Sequence, residues 1–274
     1  MKKLLGIFII IGITCLLSRF ALITFQEDLF TEVQTETPSP TIADNELLTV
    51  VAYNIHHGTD MFENFRLNEM ALLLSDADII FLSEIDRTFG SRSYYLDQLE
   101  EFQNLTGLKH QAYAPTLEKT GLFNIRGTYG IAILSRFPII DTTIYPLPTI
   151  PFDEPRAALK VTVSWGNQIL TIWATHLSPV FDTRKQQLEY LSVSAYDADL
   201  LLGDLNARPD EINSLKIALA LKNTETTPTF PSDNPNAKID YILYGNRLKL
   251  QTAQTIPSLY SDHLPVKASF YLSN

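Results

Sequence analysis

Six short polar clusters lie in order along this chain, each beside an apolar run: Tyr53-Asn54-Ile55-His56, Ser83-Glu84-Ile85-Asp86, Thr175-His176-Leu177, Gly203-Asp204-Leu205-Asn206, Ile239-Asp240-Tyr241 and Ser261-Asp262-His263. Carboxylates and amides are hard oxygen donors suited to a Mg²⁺-like cation, and histidine moves protons near neutrality. Brought to one place, such groups activate water against a phosphate. The pattern reads as a hydrolytic site.

Each cluster has a plainer reading beside that one. Leu200-Leu201-Leu202 reads as a buried strand, and alternation beyond it puts Asp204 and Asn206 on one face with Leu205 opposite. An acid and an amide so placed can hold an attacking water and a phosphoryl oxygen, although Gly, Asp and Asn also build turns. His263 needs a carboxylate to fix its tautomer, and its sequence neighbour Asp262 points elsewhere in an extended chain. The candidate partner is Asp240, because an acid alone in the apolar run 239–243 is costly to bury unpaired. Glu84 ends the apolar run 79–83, where it reads equally as a capping or ion-paired residue. Asn54 and His56 share a strand face just before Gly58, a place a turn explains nearly as well. His176 closes the apolar run 169–174, and a lone histidine there is more often structural. Arg156 reads as a structural ion pair ahead of an anion ligand. His57, His110 and Arg92 take no role.

The elements that must carry these residues are mostly strands. Period and β-branched content predict strands over 48–53, 79–83, 130–135, 157–165, 168–175, 200–204, 239–244 and 266–271, with a hairpin turn at Trp165-Gly166-Asn167-Gln168. Helical spacing predicts helices over 67–74, 96–105, 184–194 and 211–221. So many strands exceed one ordinary doubly wound sheet. Two mixed β-sheets packed face to face, flanked by helices, accommodate both the hairpins and the crossovers.

With 45% hydrophobic and 11% aromatic residues, the chain can bury a sizeable core. The stretch 47–274 suits one large α/β domain better than two small ones. Residues 1–25 read separately, as a signal peptide or N-terminal membrane anchor: Lys2 and Lys3 precede apolar runs broken only at Ser18 and Arg19. The positive-inside rule then places the body of the chain outside the cytoplasm. Residues 26–46 are acidic and polar, include Thr-Pro-Ser-Pro at 37–40, carry no basic residue, and read as a flexible tether. Cys15 is the single cysteine; the Ile13-Thr14 before it fits lipidation poorly, and one thiol makes no internal disulfide. Beyond residue 25 the chain carries 18 basic and 31 acidic residues, or −13. That balance disfavours nonspecific binding to nucleic acid or anionic membranes, and leaves room for a small phosphate bridged by a metal.

At these residues the chain resembles the endonuclease/exonuclease/phosphatase superfamily. These are metal-dependent phosphoesterases that include DNase I-like nucleases, inositol polyphosphate 5-phosphatases and neutral sphingomyelinases. The likeness covers most of 47–274 and includes Gly130-Ile131-Ala132-Ile133-Leu134-Ser135-Arg136 besides the clusters above, in the family's order. It implies a four-layer α/β sandwich of the DNase I-like kind with the site at one edge of the central sheets. It also implies that Glu84 ligates Mg²⁺ or Mn²⁺ with Asn54 and Asp262 near the metal. Asp204 would orient or deprotonate the attacking water, Asn206 would bind a phosphoryl oxygen, and Asp240 would orient His263. His176 and His263 would hydrogen-bond the scissile phosphate. The opening Tyr-Asn-Ile-His-His-Gly resembles bacterial extracytoplasmic members, and together with an exported, tethered, acidic chain it favours a lipid head group or small phosphoester. One alternative is a secreted or tethered nuclease, for which Tyr94, Tyr95, Arg92, Arg126 and Tyr129 would supply nucleic-acid contacts. Another is a catalytically silent binding domain.

Overall fold

A computed structural model describes residues 47–120 and 126–273; the leader and tether readings fall on 1–46, outside the described residues. Among the described residues, twelve strands form two six-stranded sheets. In the first, β11 (Leu248–Thr255), β12 (Val266–Leu272), β1 (Leu48–Asn54), β2 (Ile79–Arg87), β4 (Arg126–Ser135) and β3 (His110–Thr120) lie side by side in that order. The second runs β5 (Ile139–Pro146), β6 (Ala157–Trp165), β7 (Gln168–His176), β8 (Leu200–Asp204), β10 (Asp240–Tyr244) and β9 (Lys222–Asn223). Each sheet is mixed, with a parallel pair at its centre: β1 with β2, and β7 with β8.

The central strands are apolar on both faces because both faces are covered. Along β1, Leu48, Val50 and Ala52 enter a core shared with Ile172, Leu200 and Leu202 of the other sheet. Val51 and Tyr53 point the opposite way, against Leu67, Met70 and Ala71 of helix α1 (Leu67–Leu73) and Leu99 and Phe102 of α2 (Gln98–Thr106). On the second sheet Leu201 and Trp173 face Leu191 of α3 (Phe181–Ser194) and Leu215 of α4 (Asn213–Ala218). The layers are therefore helix, sheet, sheet, helix, the expected sandwich. Each fully buried Leu, Ile or Phe in it contributes about 1.5–3 kcal/mol.

The expected strands and helices are present, with additions and one shortening. Strands β3, β5, β9 and β11 were not predicted, and all four are sheet edges. An edge strand is half solvated and loses the apolar run that marks a central one; β5 buries none of its residues fully. The helix predicted over 211–221 stops at Ala218, because Ala220 turns left-handed and Lys222 pairs with Tyr244 as β9. Asp97 caps α2 by accepting the Glu100 N–H at 3.2 Å, and Gly107 ends it with φ +71°.

The register places the chemistry. In the second sheet His176 pairs with Asp204, and Asp204 pairs with Asp240, so three strand ends set these side chains abreast. Gly203 makes this possible: a Cβ there would stand 2.1 Å from the Thr175 carbonyl oxygen on the neighbouring strand. Gly203→Ala must force β7 and β8 apart, and we expect it to cost at least about 3 kcal/mol. An unchanged urea midpoint would show that the strands are not so close.

Candidate active site

Asp204, the last residue of β8, is buried. Its Oδ1 accepts the Asn206 N–H at 2.9 Å and its Oδ2 accepts from Asn54 Nδ2 at 3.0 Å. The same Asn54 nitrogen donates to Glu84 Oε1 at 3.0 Å, so one amide from β1 ties an acid of the first sheet to an acid of the second. Asn54 Oδ1 accepts the His56 N–H at 3.0 Å. Its carbonyl is thus occupied by backbone while its nitrogen bridges the two carboxylates.

Glu84 reaches this point through a backbone irregularity. The β2–β4 register jumps between Ser83 and Ile85, leaving Glu84 as a bulge residue with φ +63°. A bulge re-aims one side chain, and left-handed backbone on a non-glycine residue costs about 1–3 kcal/mol that the surrounding sheet must absorb. Asn206, φ +48°, is likewise turned out of the strand conformation expected from alternation, yet stays in the cluster. Its Nδ2 donates to the Leu177 carbonyl at 2.9 Å and lies 3.3 Å from His176 Nε2.

His263 Nδ1 donates to Asp240 Oδ2 at 2.9 Å, and the Thr229 hydroxyl donates to that same oxygen at 2.5 Å. The other ring nitrogen, Nε2, faces Asp204 Oδ2 at 3.7 Å. Burial alone would lower the His263 pKa, but the carboxylates of Asp240 and Asp204 outweigh it and raise it to about 10. Burial, reinforced by the charge of Asp240, raises Asp204 to about 7 despite His263 and Asn54 pulling the other way. An imidazolium thus stands beside a carboxylate poised to exchange a proton near neutrality.

His176 differs from His263 in protonation. Arg156 Nη1 lies 2.8 Å from His176 Nδ1, and a guanidinium has only hydrogens to give, so Nδ1 accepts and Nε2 carries the proton. Burial first, then the charges of Arg156 and His263, hold its pKa well below the usual histidine value. His176 is therefore a neutral donor whose Nε2 stands 3.5 Å from Asp204 Oδ2. Arg156 is buried and also pairs with Glu154 Oε1 at 3.2 Å. The expected ion pair exists, and its partner at His176 was invisible in sequence.

Asp262 is further out. Its Oδ1 lies 3.2 Å from Ser261 Oγ and 3.9 Å from His56 Nδ1, while the single Ser261 hydroxyl proton is given to the Asn54 carbonyl at 2.8 Å. Glu84 and Asp262 are the partly exposed acids of the cluster. Two carboxylates open to solvent suit a hard divalent cation that keeps several waters, so the donor set fits Mg²⁺ or Mn²⁺. Thr229, Arg156 and His57, whose Nδ1 is 4.0 Å from Glu84 Oε2, complete the surroundings. Arg156 was read from sequence only as an ion pair, and Thr229 and His57 were given no role, since a lone Thr or a second His in a loop carries no period.

Comparison with solved structures places this arrangement among known folds. An endonuclease/exonuclease/phosphatase from Beutenbergia cavernae superposes with a TM-score of 0.68 at 21% identity, over 83% of this chain and 72% of that one. A mannosyl-6-phosphatase from Bacteroides thetaiotaomicron gives 0.64 at 15% identity, over 82% and 100%. The human Nocturnin catalytic domain gives 0.60 at 19% identity, over 83% and 94%. No match was found among curated proteins. The family profile described as the endonuclease/exonuclease/phosphatase family spans residues 51–263, from within β1 to His263, and every residue placed in the site above falls inside it. On the profile and the fold together, the chain belongs to the endonuclease/exonuclease/phosphatase family and is a phosphoric ester hydrolase.

Proposed function

We propose that this protein hydrolyses a small phosphoester or a lipid head group outside the cytoplasm, by in-line attack of water assisted by Mg²⁺. The observation that carries the reading is the pairing of Asp204 with His263 and Asp240, joined through Asn54 to Glu84. Glu84 would hold the cation with Asp262 nearby, and when bound the cation supplies Lewis-acid stabilisation of charge on phosphoryl oxygen. Asp204 orients the attacking water and takes its proton. His263, held protonated by Asp240, donates to phosphoryl oxygen where negative charge accumulates, and neutral His176 and Asn206 add hydrogen bonds without adding charge.

The choice among phosphoesters rests on charge. Of the groups expected to touch nucleic acid, Arg92 is bound to the Asp86 carboxylate at 2.7 Å and lies over the Phe89 and Tyr129 rings. Arg126 is paired with Glu118, and Tyr129 is buried. Tyr94 and Tyr95 are left as exposed rings. A basic track for a phosphate backbone is not assembled from these groups, which supports a compact substrate. Residues 1–25 would carry the chain to, or anchor it in, a membrane. Among the described residues no helix is long and apolar enough to cross one.

A substrate screen of the purified full-length chain tests the reading, with Mg²⁺ or chelator, against phospholipids, inositol phosphates, a mannose 6-phosphate ester and plasmid DNA. Turnover of DNA alone would replace it by the nuclease. The metal assignment has its own check: Glu84→Gln is expected to raise the Mg²⁺ concentration for half-maximal rate at least about tenfold, with the far-ultraviolet spectrum unchanged. An unaltered Mg²⁺ dependence would remove Glu84 from the metal site.

A further inference from the structure

We propose that His56, His57 and Glu63 form a second cation site, built for a borderline transition metal of the Zn²⁺ class and separate from the hard-cation position at Glu84. Each residue offers one ligand atom, and the three atoms lie within 4.8 Å of one another. His57 Nε2 is 3.5 Å from Glu63 Oε2, already about the separation that two ligands roughly 2.0–2.2 Å from a tetrahedral ion adopt. The Thr59 hydroxyl lies between the rings, 3.4 Å from His56 Nδ1 and 3.3 Å from His57 Nε2. Two imidazoles and one carboxylate are a donor set that prefers Zn²⁺, Co²⁺ or Ni²⁺ to Mg²⁺.

The backbone brings these groups together against its own preferences. His56 and His57 both have φ +44° and Glu63 has φ +63°, and the loop that carries Glu63 is fixed from beneath. The Asp60 carboxylate accepts the N–H groups of Phe62 and Asn64, each at 2.9 Å, and Arg66 Nε at 3.2 Å. Gly58, φ +83°, lets the turn pass Gln98 Nε2, which would stand 2.6 Å from a Cβ there and which donates to the His57 carbonyl at 2.6 Å. His57 presents its two nitrogens to different acids, Nδ1 toward Glu84 at 4.0 Å and Nε2 toward Glu63. Glu84 thus stands on the side of the ring away from Glu63, where the outer-shell carboxylate of a ligating histidine is found, at a distance longer than a hydrogen bond. Glu63 is exposed, so an ion held here keeps coordination positions open to solvent beside the hydrolytic site.

The test is titration of the full-length chain with Co²⁺ at saturating Mg²⁺, followed by the visible ligand-field bands of four- or five-coordinate cobalt. One equivalent is expected to bind, with at least a tenfold loss of affinity in Glu63→Gln and in His56→Gln. Zn²⁺ should displace it. Bands that Mg²⁺ competes away would assign the cobalt to the Glu84 position and overturn the proposal, as would affinity unchanged by both substitutions. Glu63 lies on a loop and is exposed, so its variant tests the site even where His56→Gln folds poorly.

Discussion

Asp204→Asn is expected to lower kcat by roughly 10²–10⁴-fold, the range contributed by a positioned acid–base group, while making the chelated protein more stable at pH 8. The two effects share one cause. Asp204 is a buried carboxylate next to the carboxylate of Asp240, and the folded state raises its pKa from 3.8 to about 7. Between those values the folded chain keeps a proton that the unfolded chain has released, so stability falls as pH rises through that window, and the penalty is complete above it. Asparagine carries no such penalty. Part of the gain is offset, because His263 loses one of the charges that raise its own pKa. A net difference on the order of 1–2 kcal/mol remains. Urea unfolding of both proteins at pH 4 and pH 8 in chelator reads it directly, since the difference in midpoint should be small at pH 4 and large at pH 8. Were Asp204→Asn the weaker fold at pH 8, the hydrogen bonds from Asn54 and Asn206 would have to outweigh the burial penalty. Asp204 would then be a structural acid.

What the amino-acid sequence revealed and concealed follows from burial. Central strands announce themselves in the runs 79–82 and 200–202, because the packing of helices on one side and the second sheet on the other demands apolar side chains at every position there. The edges β3, β5, β9 and β11 answer to solvent on one side, and β3 even contains Pro115 beside a register shift, so no period marks them. The same logic applies to the site. Asp240 stands out in its apolar run because a buried acid requires a partner, and His263 lies 2.9 Å from it. Glu84 was read as an acid ending the strand 79–83, whereas β2 continues to Arg87 and Glu84 is a bulge within it with reversed φ; nothing in Ser-Glu-Ile distinguishes a bulge from a strand end. The protonation state of His176 was also beyond reach. It depends on Arg156, twenty residues earlier, and only the β6–β7 pairing brings the guanidinium to Nδ1.

If Asp204 must be ionised to take a proton and His263 must be protonated to donate one, kcat/KM follows a bell. It rises through the pKa of about 7 on the acid side and falls through the pKa of about 10 on the alkaline side. Both limbs belong to the coupled group rather than to single residues. Asp240 acts on each in the same direction: its charge raises the His263 pKa and it also raises that of Asp204. Asp240→Asn should therefore move the whole bell toward acid, with the alkaline limb falling by about two pH units, the size expected when an opposite charge in contact is removed. Activity at pH 9 would then collapse while activity near pH 6 is better preserved; because stability also falls with rising pH, a urea unfolding curve at each pH must show the variant folded where its rate is read, so that the split reports ionisation and not unfolding. Thr229→Val serves as the companion measurement. It removes a neutral donor to Asp240 Oδ2 and leaves the carboxylate charge in place, so its bell should keep both limbs within about half a unit. A bell that stays fixed in Asp240→Asn would show that His263 does not depend on Asp240 for its proton.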